Sequence, residues 1–253
     1  MSWSTRRRLI ILGIVIGIVG AGGAGLGYFT LHKAPSCTDG IKNGKEAGID
    51  CGGICAFTCT AGLTPPSVRF VRSLSSVPGR TDVIAYVDNP NHDSATRHAP
   101  YTIDLYDDAN VLIARTTGST PIPAGASVPV FESNFFSGSR AVAHVFLTFA
   151  TSSIPWFKVN TPSPLPKVVS IEVTGTNAPR VTATVMNPTA SAMTNVPFIV
   201  TIFGEDGNAI GASRTVALSI PPQGQADLVF TWPTPFVGTV SKIEIVPIIL
   251  PTP

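Results

Sequence analysis

Charge is scarce in this chain. Only 13% of its 253 residues are Lys, Arg, Asp or Glu, and Arg6, Arg7 and Arg8 alone outweigh the formal net charge of +2. Setting those three aside leaves 14 basic against 15 acidic residues, so there is no basic face for nucleic acid. Catalytic signatures are missing too. The sequence holds no nucleophile elbow, no metal-binding His pair and no phosphate-cradling glycine loop, and His32, His92, His98 and His144 are scattered. An enzyme is not expected. No stretch beyond residue 31 keeps a helical period, which argues against a parallel α/β fold. Cysteine is absent from everything after residue 59, so whatever folds there relies on an apolar core alone.

The one long apolar run, residues 9–31, contains no charge and follows directly on Arg6, Arg7 and Arg8. As a helix it spans the roughly 30 Å hydrocarbon core of a bilayer. Flanking arginines stay on the cytoplasmic side, which puts residues 1–8 in a cytosolic tail, 9–31 in a transmembrane helix and the remainder outside the cell membrane. A cleavable signal peptide is the competing reading, because the small residues 20–25 follow a short apolar core. Gly13, Gly17, Ala21 and Gly25 recur every four residues and would line one helix face, an arrangement that permits close pairing and a homo-oligomer.

All four cysteines, Cys37, Cys51, Cys55 and Cys59, fall just after this span. In an oxidising compartment, a segment so poor in hydrophobic residues is expected to fold around two disulfides as a small module over residues 36–60. Three connectivities remain open, and a four-thiolate zinc site is the rival. Between the cysteines, Asp39, Asn43, Glu46 and Asp50 alternate with turn-forming glycines. Repeated chain reversal explains them; a Ca²⁺ ion held by their hard oxygens is the sharper reading, although their order is not that of an EF-hand loop. The segment resembles the short motif Cys-x-Asp-Gly-x-x-Asn-Gly-x-Glu-x-x-x-Asp-Cys-Gly-Gly-x-Cys of predicted bacterial surface proteins, and every named position matches. The resemblance implies a cell-surface or secreted setting and no catalytic role.

After a hinge at Thr64, Pro65 and Pro66, the chain repeats itself at an offset of about 98 residues. VIAYVDNP at 83–90 returns as VTATVMNP at 181–188, PYTIDLY at 100–106 as PFIVTIF at 197–203, and Ile122-Pro123 as Ile220-Pro221. Alternation places Val83, Ala85, Val87, Tyr101, Ile103 and Leu105 in one core, with Val181, Ala183, Val185, Phe198, Val200 and Ile202 in the other. The expected fold class is all-β: two tandem immunoglobulin-like sandwiches over 66–160 and 167–250, joined by an extended proline-rich linker at 161–166. Ile103-Asp104-Leu105-Tyr106-Asp107 resembles the signature of FxLYD-type immunoglobulin-like modules, with Ile103 in place of Phe. The carboxylate pairs Asp107–Asp108 and Glu205–Asp206 fall at turns, and Trp156, Phe157 and Trp232 are expected to cap the cores.

These readings combine into a membrane-anchored, exported protein displaying two sandwiches for adhesion to a surface protein or glycan. The alternative is a structural subunit of an envelope or secretion assembly. Neither needs a cofactor beyond the Ca²⁺ considered at the cysteine module.

Overall fold

A computed structural model describes residues 3–31 and 35–252; Met1 and Ser2 of the expected tail, and His32, lie outside them. The chain forms two compact units, divided after Cys55.

The first unit opens with helix α1, Trp3–Leu31. It is apolar on every side and long enough to cross a membrane. At 1.5 Å per residue its 29 residues reach about 43 Å. The helix takes in Arg6, Arg7 and Arg8, so the basic residues of the expected tail are helical. The same unit contains the cysteine loop up to Cys55. Residues 56–60 of the expected 36–60 module fall within the second unit, where Phe57 bridges Phe157 and the Thr58 N–H donates to the Trp156 carbonyl at 2.8 Å.

The second unit holds thirteen strands in two β-sandwiches. In the first, β1 (Ser67–Val77), β2 (Arg80–Asp88) and β5 (Ser127–Phe136) form one sheet in the order β1-β2-β5. The facing sheet runs β4 (Leu112–Ile122), β3 (Ser94–Tyr106), β6 (His144–Phe149), with the short β7 (Phe157–Lys158) on the start of β3. The second sandwich repeats this order. Strands β8 (Lys167–Thr174), β9 (Arg180–Met186) and β12 (Gln225–Thr231) pair as β12-β9-β8, against β11 (Ala209–Ile220), β10 (Met193–Gly204) and β13 (Val240–Pro247), paired as β11-β10-β13. Every one of these pairings is antiparallel. Even the edge irregularity recurs: β1 carries a bulge between Val68 and Phe70, and β8 one between Val168 and Ser170.

The alternating residues fill the cores as expected. Val83, Ala85, Val87, Ile103 and Leu105 pack with Ile122, Ile154 and Trp156 in the first, and Val181, Val185, Phe198, Val200 and Ile202 pack with Leu228 and Phe230 in the second. Trp156 and Phe157 are buried, while Trp232 lies half-buried against Phe236 with ring centroids 4.9 Å apart.

A third core, not anticipated from the alternation, joins the sandwiches. Ile84 and Tyr86 from the outer face of β2 meet Ile199 of β10 and Ala209 and Ala212 of β11, with Phe70, Leu74, Phe131, Phe203 and Ile248 around them. The sheet β1-β2-β5 is therefore apolar on both faces, and its outer face lies on the sheet β11-β10-β13. This seam, rather than the proline segment 161–166, holds the sandwiches together.

Candidate functional site

In the cysteine loop, Cys37 is bonded to Cys55 across 18 residues, and Cys51 and Cys59 are disulfide-bonded as well. No cysteine is free. The zinc reading is thereby overturned, because a bridged sulfur offers no thiolate. Gly53 explains the tightness of the loop. It holds φ +62, and a Cβ there would come within 1.8 Å of the Lys45 carbonyl oxygen, so only glycine fits.

The four oxygen-bearing residues do come together, but around the loop's own backbone. Asp50 accepts the N–H groups of Asp39 at 3.0 Å and Gly40 at 2.8 Å. Asp39 accepts Ile41 N–H at 3.0 Å and the Asn43 amide at 2.7 Å. Glu46 accepts the N–H groups of Asn43 and Asp50 through Oε2. Its Oε1 rests 3.4 Å from the Cys55 sulfur, a packing contact, since a disulfide sulfur has no proton to give. The three carboxylates thus accept the N–H groups of the loop, as turn chemistry expects, while Asn43 Oδ1 is buried and accepts no hydrogen bond. The cluster of Glu46 with Cys37 and Cys55 has no metal-binding thiolate for the same reason.

On α1, Gly13, Gly17 and Gly25 each face open space, a Cβ at any of them meeting nothing within 4 Å. Ala21 shares their face by the helical period. Among the described residues, nothing packs against these glycines.

Of the turn carboxylates, Asp107 and Asp206 bind their own turns. Asp107 Oδ1 accepts the Val111 N–H at 2.8 Å. Asp206 accepts the side-chain and backbone N–H groups of Asn208 at 2.6 and 2.9 Å, which hold its carboxyl below the usual range. His92 and His98 are both exposed and line different hollows, so with Asp93 and Arg97 they make no common site.

Those hollows flank the seam. A groove of about 720 Å³ lies between Arg97, His98 and Pro121 of the first sandwich and Met193, Pro197 and Leu250 of the second. Arg97 sits at its rim, stacked 5.5 Å over the Phe157 ring and donating from Nε to the Pro251 carbonyl at 2.9 Å. A tighter cavity of about 330 Å³ is bounded by His92, Ser127, Val128, Leu165, Val246 and Pro251. Both are lined mainly by apolar surface. At the heart of the seam the Tyr86 hydroxyl donates to Thr201 Oγ1 at 3.2 Å, and burial drives its phenol far above the ordinary value. Tyr101 is raised in the same way by burial and by its 2.5 Å hydrogen bond to Glu132.

No family model and no curated protein matches the chain. Among solved structures, red sea bream transglutaminase is 17% identical with a TM-score of 0.27, over 73% of this chain and 29% of that one. The N-terminal CBM22-1-CBM22-2 tandem domain from Paenibacillus barcinonensis Xyn10C is 8% identical with a TM-score of 0.16, over 75% of this chain and 86% of the other. The chain thus spans under a third of the transglutaminase, and similarity at these levels carries no functional argument.

Proposed function

We propose that this chain is a membrane-anchored, exported surface protein that presents its paired sandwiches for contact with another surface protein or a glycan. The observation that carries this reading is the order of its parts: an apolar helix long enough to span a bilayer, then cysteines that are all oxidised, then a β-sandwich body. Disulfides persist outside the reducing cytosol, and Arg6, Arg7 and Arg8 at the start of the helix favour a cytoplasmic N-terminus. The cysteine motif and the FxLYD-like strand support the same setting. The sandwiches supply contact through the loops at their ends and the walls beside the seam.

Protease treatment of intact cells, with mass spectrometry of the released peptides and of the mature N-terminus, tests the reading. Release of peptides from residues 56–253 while the chain still begins near Met1 supports anchored display. A mature chain beginning beyond about residue 24 makes α1 a cleaved signal and the protein secreted. Sandwiches that stay protected after every outer barrier is opened overturn the proposed topology.

A further inference from the structure

Strand β8 is the least covered strand of the second unit. All eight of its residues are exposed, including Val168 at 37%, Val169 at 54%, Ile171 at 40% and Val173 at 45%. It is an edge strand, bonded to β9 on one side only. Its register defines its two faces. Val168, Ile171 and Val173 stand opposite Val185, Ala183 and Val181, which fill the second core, so these three point toward that core. Lys167, Ser170, Glu172 and Thr174 stand opposite Met186, Thr184, Thr182 and Arg180 on the outer face.

The first sandwich shows what normally covers such a strand. There the counterparts Val68 and Val71 of β1 pack against the first core, together with Val142 and Val145 beside them. Phe70 and Leu74, on the other face of β1, are taken up by the seam. Strand β8 has neither form of cover. An edge strand with exposed Val and Ile and no proline of its own presents unpaired backbone groups to a further strand.

The charges on that edge specify the strand. We infer that the occupant is β8 of a second copy of this chain, laid antiparallel across a two-fold axis that passes between the facing Ser170 residues of the two copies. In this register Lys167 of each copy lies opposite Glu172 of the other, both on the outer face. Val168 of each copy lies opposite Ile171 of the other, both on the core side. The bulge between Val168 and Ser170 is what lets an odd-numbered residue face an even-numbered one on the same side. The interface is isologous, as two-fold symmetry requires. It gives two ion pairs and two apolar cross-strand pairs at the spacing where such pairs interact, and it turns two three-stranded sheets into one sheet of six. Neither Lys167 nor Glu172 makes an ion pair within the described chain, so both are available. This pairing stands apart from the display reading, since it holds on either side of a membrane.

The test is a charge exchange in the full-length protein, purified in detergent and followed by sedimentation and lysine-independent photo-cross-linking. Wild type is expected to dimerise. Glu172→Lys and Lys167→Glu each replace two attractions with two repulsions, and each is expected to weaken the dimer by roughly tenfold. The doubly exchanged protein, Lys167→Glu with Glu172→Lys, is expected to regain wild-type association. Both positions are exposed, and an unchanged circular dichroism spectrum verifies that the variants fold. A monomeric wild type overturns the inference. So does a dimer that ignores the single substitutions, which assigns association to another surface such as the Gly13–Gly17–Gly25 face of α1, and so does a double variant that stays as weak as the singles, which points to a strand of different sequence as the occupant.

Discussion

Two buried asparagines close the same corner in both sandwiches. Asn187 is fully buried and donates from Nδ2 to the carbonyls of Ser191 at 2.8 Å, Ile220 at 3.2 Å and Pro221 at 3.1 Å, while its Oδ1 accepts the Thr189 N–H at 2.9 Å. Asn89 does the equivalent with Ser94 and Pro123 at 2.8 and 2.9 Å and with the Asn91 N–H at 3.0 Å. Each ties the end of a β2-type strand to the loop before a β5-type strand, and the following proline keeps the asparagine extended. Asn187→Ala leaves several carbonyls without a donor and is expected to destabilise the second sandwich by about 2–4 kcal/mol, read by urea unfolding. A loss under 1 kcal/mol contradicts that role. The buried phenols give a pH signature. Tyr86 and Tyr101 are held neutral in the fold, whereas unfolding returns them to an ordinary value of 10.0. Their contribution to stability is complete below pH 10 and falls away as pH rises above it. Alkaline titration of phenolate absorbance is expected to show these two groups ionising only as the protein unfolds, and Tyr86→Phe is expected to flatten the alkaline decline.

At the scale of elements, the repeat made most strands legible, because period-two alternation and the recurring Asn-Pro corner are local signals. The seam was legible only as a departure from the repeat. Where the outer face of β9 has Thr182 and Thr184, its counterpart β2 has Ile84 and Tyr86; where β3 has Thr102 and Tyr106, β10 has Ile199 and Phe203. A run apolar at every position marks a strand buried on both faces, and VIAYV at 83–87 is such a run. What it packs against depends on distant contacts that no local pattern encodes. The cysteine loop divides similarly: oxidation followed from cysteine placement, whereas the N–H groups that Asp39, Glu46 and Asp50 accept depended on the folded path of the loop. That path hinges on Gly53. Gly53→Ala is expected to prevent the loop from closing and to scramble or expose its thiols, measured by thiol labelling without reductant, while the sandwiches, free of cysteine beyond residue 59, keep their β-sheet circular dichroism.

At the scale of the second unit, the seam decides whether the two sandwiches act as one body or as beads on a proline tether. Apolar burial of Ile84, Tyr86 and Ile199, each at most 5% exposed, predicts one cooperative body, because separating the sheets would return these side chains to water. The Arg72 contact to Asn208 and the Tyr86 hydroxyl bond to Thr201 add directional links across the same face. Ile199→Asp places an unpaired charge in this core while leaving Phe198 and Val200, which face the other way, in theirs. It is expected to convert a single unfolding transition into two and to make residues 159–166 a preferred site of limited proteolysis. Thr182→Asp, at the position on β9 that corresponds to Ile84 but faces outward, is the matched control and is expected to do neither. If Ile199→Asp leaves a single transition and an intact linker, the seam does not couple the sandwiches, and the proline segment alone sets their spacing.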